Sequence, residues 1–211
     1  MPTITIDGQE LSFEQGQMII EVAREAEIDI PHFCWHPALS VSGNCRMCFV
    51  EIEGMPKLAI GCATPAADGQ VVHTTSEKAE SGRSAIMEFL LINHPLDCPI
   101  CDEAGQCKLQ DYAFQHGRGE SRFDEMKVRK EKRVPLGPQV LFDGERCISC
   151  SRCIRFADEV AEQPVLSFVN RGDHVSIETA PGAEFDSPYS MNVIDICPVG
   201  ALTSVDFRFR S

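Results

Sequence analysis

Cys147-Ile148-Ser149-Cys150-Ser151-Arg152-Cys153, answered 44 positions further on by Cys197-Pro198, is the stretch that decides how this chain folds. Soft, anionic thiolates suit iron and sulfide. A close triplet grips neighbouring irons with little loop-closure cost, and a distant fourth ligand closes the cage. No second triplet of this kind exists in the chain, so Cys197 is expected to close the same site. The form points to a [4Fe–4S] cluster, with a zinc ion held by four thiolates as the competing reading.

The triplet copies the run found in bacterial ferredoxins, except that there the Cys-Pro follows after a few residues. Working outward, two further cysteine groups precede it. Cys34-x10-Cys45-x2-Cys48-x13-Cys62 has one leading ligand, a close pair and a later fourth, which fits a [2Fe–2S] centre or a four-cysteine zinc site. The loop Val41-Ser42-Gly43-Asn44 is small and mostly polar, so its amides could approach cluster sulfurs. The middle group, Cys98-x2-Cys101-x5-Cys107, lacks a fourth thiolate, and His94 would complete it. Three thiolates and an imidazole also suit zinc, and a histidine at a helix end is commonly a cap. Eleven cysteines and this one histidine make twelve ligands, three complete sets with no cysteine left over. His32, His36, His73, His116 and His174 are expected to be structural or exposed.

Composition narrows the function classes. Apolar residues make up 43% and charged residues 24% of the 211, as in ordinary globular chains. The formal net charge of −13 argues against nucleic acid, whose phosphates are bound by clustered Lys and Arg. The longest nearly apolar stretch, Ala85–Ile92, is interrupted by Glu88 and falls far short of the roughly 20 residues that span a bilayer. Met1–Glu10 is polar and lacks a basic region ahead of an apolar core, which predicts a cytoplasmic chain. An odd cysteine count in a reducing compartment points to metal ligands rather than disulfides.

Patterning predicts an α+β chain in four segments. Residues 1–76 form the first, with strands at Thr3–Ile6 and Glu10–Phe13 around the turn pair Asp7-Gly8. Ile19, Val22, Ala23 and Ala26 give a helix one apolar face, and Phe49–Ile52, Lys57–Ile60 and Gln70–Thr74 read as further strands. In the second segment, 77–117, Ser76 caps a helix over Ala79–Asn93 whose expected face is Ala85, Ile86, Phe89 and Leu90. His94-Pro95 ends it, and a second helix follows at Leu109–Gln115. The third, 118–138, is a basic linker. Gly117–Arg133 carries seven Lys or Arg against four acids and reads either as a solvated connector or as a docking strip for an acidic partner. The last, 139–211, holds a helix after Cys153, strands near Val165–Asn170 and His174–Glu178, and a short helix before Cys197. No Gly-rich dinucleotide fingerprint is visible, since Gly117-Arg118-Gly119 lacks a third glycine and a preceding strand. No catalytic side chain is expected.

Phe33-Cys34-Trp35-His36-Pro37, Gly43-Asn44-Cys45-Arg46-Met47-Cys48 and Asn93-His94-Pro95-Leu96-Asp97-Cys98-Pro99-Ile100-Cys101 resemble the large iron–sulfur subunit family of bacterial NADH:quinone oxidoreductase, respiratory complex I. Cys107-Lys108-Leu109-Gln110-Asp111, the triplet itself and Ile196-Cys197-Pro198-Val199-Gly200-Ala201-Leu202 continue the likeness over essentially the whole chain. The resemblance implies a plant-type ferredoxin-like (β-grasp) domain with [2Fe–2S] on Cys34, Cys45, Cys48 and Cys62. It implies a helical segment with [4Fe–4S] on His94, Cys98, Cys101 and Cys107, then a bacterial ferredoxin-like domain with [4Fe–4S] on Cys147, Cys150, Cys153 and Cys197.

It further implies a relay of single electrons from NADH and FMN, bound on partner subunits, toward quinone. The partners would be the flavin/NADH-binding subunit and other iron–sulfur subunits. The chain would lie on the cytoplasmic face of the inner membrane, reaching the membrane only through those partners. Members of the family usually continue into a long domain resembling molybdopterin oxidoreductases, whereas this sequence stops at Ser211. Short relatives serve NAD-reducing hydrogenases and some formate dehydrogenases, which keeps that assembly as the alternative. A neutral imidazole in place of a thiolate makes the His94 cluster less negative and, other things equal, easier to reduce.

Overall fold

The computed structural model describes residues 1–206. The chain divides into two compact units, Met1–Phe89 with His116–Arg118, and Leu90–Gln115 with Gly119–Ser211.

The first unit starts with a hairpin. Asp7 and Gly8 both adopt positive φ, 48° and 82°, as a two-residue turn with the twist of its flanking strands requires. The turn joins β1 (Thr3–Ile6) to β2 (Gln9–Ser12), with Ile6 opposite Gln9. After α1 (Ile19–Glu25) come β3 (Phe49–Ile52), β4 (Ala59–Ile60) and β5 (Gln70–His73). The sheet order is β2-β1-β5-β3-β4. β1 and β5 run parallel with Thr5 beside Val71, and the other pairs are antiparallel. This is an α+β, β-grasp arrangement. Alternation along β1 sends Ile4 and Ile6 inward, where they meet Ile19, Ile20 and Val22 of α1. The Met18 N–H donates to Glu21 Oε2 at 2.8 Å, satisfying one donor at the start of α1. Cys48 and Cys62 lie within this same apolar core, 1% and 0% exposed.

α2 (Glu77–Leu91) starts as expected, with Ser76 Oγ accepting the Ala79 N–H at 3.2 Å. Its expected face is corrected. The buried positions are Ala79, Arg83 and Met87, while Phe89 is 71% exposed and Ala85 is exposed. Arg83 can occupy the buried stripe because its charge is answered: Nη1 meets Glu80 Oε1 at 2.6 Å and Nη2 donates to the Phe49 carbonyl at 2.8 Å. Hydropathy alone puts arginine outside, so this stripe is invisible to periodicity.

After α2, a 3-10 turn over Cys98–Ile100 precedes α3 (Lys108–His116). Then follow β6 (Val134–Pro135), β7 (Val140–Phe142), α4 (Arg152–Glu159), β8 (Leu166–Val169), β9 (Ser176–Thr179), α5 (Asn192–Ile196) and β10 (Leu202–Ser204). β8 and β9 pair antiparallel, Leu166 against Thr179. The sheet β10-β7-β6 has no counterpart in the sequence reading, because strands of two or three residues leave no measurable alternation.

The basic stretch serves the unit itself. Lys127 Nζ donates to the Leu91 and Ile92 carbonyls at 2.8 and 2.9 Å, capping the end of α2. Lys130 Nζ donates to the Val175 carbonyl at 2.8 Å, and Lys132 Nζ meets Asp97 and Glu145 at 2.8 Å each. No helix among the described residues is long and apolar enough to cross a membrane.

Arg83→Met keeps the volume but removes both buried polar bonds. The expected loss is about 1–3 kcal/mol of unfolding free energy, read as a lower urea midpoint by far-ultraviolet circular dichroism.

Candidate metal centres

The first centre is built by the loop between α1 and β3 and by the turn after β4. The Cys34 sulfur lies within hydrogen-bonding reach of Cys45 and Cys62, and Cys48 within reach of Cys62. The expected foursome is thus brought together. Its members polarise one another in alternation. Contacts from Cys45 and Cys62 hold the Cys34 thiol well below its usual range, whereas facing Cys34 pushes Cys45 up. Cys48 is lowered by Cys62, and Cys62 is raised by Cys34 and Cys48. Four thiolates in so small a volume need positive charge among them, which iron supplies. Main-chain donors add to this: the Cys34 N–H points at Cys45 Sγ over 3.4 Å, and the Asn44 amide turns toward Cys34. Arg46, between the ligands of the close pair, has φ 61°.

The third centre joins the start of α4 to the end of α5. Its four thiols interact with one another, and burial dominates their chemistry. Burial pushes Cys147 up to about 11 and raises Cys153 and Cys197 strongly. The distant Cys197 is placed by a sheet that periodicity does not reveal. β7 leads through Asp143 to Cys147, and β10 follows Cys197-Pro198. Their register sets Leu202 against Phe142, and the Asp143 N–H donates to the Ala201 carbonyl at 2.8 Å. Ser149 and Ser151, one in each of the two ligand turns, adopt φ 54° and 64°. The left-handed backbone turns the chain sharply between the three cysteines, and the Ser149 N–H donates to Cys147 Sγ at 3.3 Å. Neither serine carries the glycine signal that marks such positions in a sequence.

The middle group lines a cavity of about 200 Å³. His94, Cys98, Cys101 and Cys107 all face it, together with Asp97 and Arg146. Burial first, then the charges of Lys127 and Arg146, bring the His94 imidazole down to about 4. It is therefore neutral near pH 7, the form that ligates metal. Burial raises Cys101 and Cys107. A side chain on Gly200 would collide with Cys101 Sγ and come within 3.1 Å of Glu103 Cβ, so glycine is required by the close approach. Among the described residues, no three His, Cys, Asp or Glu side chains converge as on a single ion.

The other histidines are engaged elsewhere. His73 Nε2 meets Glu53 at 2.9 Å, His116 Nδ1 meets Glu80 at 2.7 Å, and His174 Nδ1 meets Asp173 at 2.6 Å. His32 bonds the Ile30 carbonyl, and His36 Nδ1 accepts from the Ala38 N–H.

Comparison with known proteins matches these three regions in turn. Residues 1–77 match a 2Fe-2S iron-sulfur cluster binding domain. Residues 83–122 match the NADH-ubiquinone oxidoreductase-G iron-sulfur binding region, and 137–203 match the ferredoxin-like domain of NADH-quinone oxidoreductase subunit 3. The chain is 49% identical over 211 residues to the G subunit of the NADH-quinone oxidoreductase of Streptomyces coelicolor, covering 99% of this chain and 25% of that protein. The corresponding G subunit of Rickettsia bellii is 46% identical, with 100% and 31% covered. This chain belongs to the G-subunit family of NADH-quinone oxidoreductase and matches its N-terminal iron–sulfur region. It spans about a quarter to a third of those relatives.

A solved chain of an NAD+-reducing [NiFe]-hydrogenase also superposes, with TM-score 0.86, 32% identity, and 100% of this chain and 90% of that one covered. The family's cofactor set is one [2Fe–2S] and two [4Fe–4S] clusters. The residues present fit that set: soft thiols in three groups, amides turned toward sulfur, and a neutral imidazole where the fourth thiolate is missing.

Ser151→Val and Ser151→Gly both delete the hydroxyl that accepts the Arg155 Nε–H at 3.2 Å. Only valine must force a β-branched side chain into the left-handed region. Valine should therefore be less stable than glycine by about 1–2 kcal/mol, measured by denaturant titration of the iron-loaded protein.

Proposed function

We propose that this chain is the relay of single electrons in an NADH:quinone oxidoreductase, respiratory complex I, between NADH and FMN on partner subunits and quinone. Cys34, Cys45, Cys48 and Cys62 hold the binuclear cluster. His94, Cys98, Cys101 and Cys107 hold one tetranuclear cluster, and Cys147, Cys150, Cys153 and Cys197 hold the other. The observation that carries this reading is the completeness of the sets: the one group short of a thiolate has a half-buried, neutral imidazole lining its cavity. The domains follow as 1–76 for the binuclear centre, 77–117 for the His94 segment, 118–138 as the basic connector and 139–211 for the last centre.

Iron–sulfur clusters take up and return one electron at a time. The chain's own residues hold them at fixed positions and donate main-chain N–H groups to sulfur. That is how a protein sets potential without a reacting side chain. The partners are the flavin/NADH-binding subunit and other iron–sulfur subunits. The whole sits on the cytoplasmic face of the inner membrane, with contact to the membrane only through partners. The structural likeness to the hydrogenase chain supports the alternative, the same relay in an NAD-reducing hydrogenase or formate dehydrogenase. Co-purification with a hydrogenase large subunit rather than membrane subunits distinguishes the two.

Anaerobically purified protein should contain about ten irons per chain, from one binuclear and two tetranuclear centres. Zinc in place of iron would end the electron-transfer reading. Cys197→Ser should remove one tetranuclear signal and leave the binuclear one, by electron paramagnetic resonance of reduced samples. His94→Ala should alter the other tetranuclear signal, and an unchanged spectrum would refute the imidazole ligand.

A further inference from the structure

Between the triplet and the His94 cavity lies a knot of charge that the ligand sets do not explain. Arg146, whose side chain is 9% exposed, places Nε and Nη2 each 3.3 Å from Asp97 Oδ2. Its Nε lies 3.4 Å from Asp143 Oδ2, and Nη2 donates to the Ile100 carbonyl at 3.5 Å. Lys132 Nζ joins the same carboxylates, with Asp97 at 2.8 Å, Asp143 at 3.1 Å and Glu145 at 2.8 Å. Arg129 reaches Glu145 at 3.6 Å from an 84% exposed side chain, where water screens it. Arg146 and the half-buried Lys132 thus face three carboxylates. Of these five charges, only Arg146 and Asp97 line the cavity with His94, Cys98 and Cys101.

We propose that Arg146 is a positioning and potential-setting residue for the His94 centre, its fixed positive charge on the cavity wall favouring the reduced state. The inference rests on the ligand set proposed above. Reduction adds one negative charge to the cavity, and a cation in the wall stabilises that charge. Removing Arg146 leaves three carboxylates against Lys132 and the water-screened Arg129, and Asp97 faces the cavity without its guanidinium partner. Arg146 lines the cavity that His94, Cys98, Cys101 and Cys107 face. Its charge is therefore directed at the His94 centre, although Arg146 adjoins the triplet in sequence.

The test is a potentiometric titration of the assembled complex, followed by electron paramagnetic resonance. The His94 signal is identified as the one that His94→Cys alters. Arg146→Gln should move that signal to lower potential, by more than it moves the triplet signal, and Arg146→Lys should retain most of the wild-type value. Asp97→Asn, which removes the opposing charge, should move it to higher potential. A present but unmoved signal in Arg146→Gln, or an equal shift in Arg146→Lys, would overturn the proposal. Should Arg146→Gln fail to assemble its cluster, Asp97→Asn decides the sign, and an unchanged or lowered potential there overturns it too. Absence of the His94 signal from the wild-type complex would overturn the ligand reading and this proposal together; the other outcomes bear on Arg146 alone.

Discussion

Four sulfurs brought together out of water repel one another as thiolates and lose hydration as they ionise. In the triplet centre, burial raises Cys147, Cys153 and Cys197. In the first centre, two thiols are raised and two lowered as they share protons. Such pockets are unfavourable until cationic iron is placed in them, so the binding energy of the clusters is also folding energy. With aromatic residues only 7% of the chain, the apolar core alone is modest, and the clusters supplement it.

The backbone is shaped around that constraint. Left-handed residues at Arg46, Ser149 and Ser151 cost local strain, and at Ser149 the main-chain amide points at Cys147 sulfur. The short sheet of β7 and β10 closes the 44-residue gap to Cys197 by main-chain bonds rather than by a long rigid element. Gly200 then lets that returning segment come against Cys101 Sγ. One peptide segment in this way carries Cys197 and part of the wall of the His94 cavity.

Three lysines of the basic stretch have internal partners. Seven cations in seventeen residues invite a docking surface, but Lys127, Lys130 and Lys132 are engaged by carbonyls and carboxylates of their own unit. Lys127 caps α2 just ahead of His94, so this stretch steadies the approach to the imidazole. The formal charge of the chain remains strongly negative, and these cations sit where internal acids and carbonyls need them.

The three iron–sulfur regions were legible in the sequence, because each close pair or triplet of cysteines is a local property of spacing and soft sulfur chemistry. The β-grasp strands and α1 were legible for the same reason: alternation and helical period are local signals, and Asp7-Gly8 names its own turn. Tertiary structure alone decided the rest. The buried stripe of α2 runs through Arg83 because a carbonyl 34 positions away accepts its guanidinium. The sheet that delivers Cys197 pairs strands too short to have a period. Arg146 meets Asp97 across 49 positions, in a cavity no local pattern describes. Local spacing dictates which atoms can bind iron; only the folded chain dictates which charges surround them.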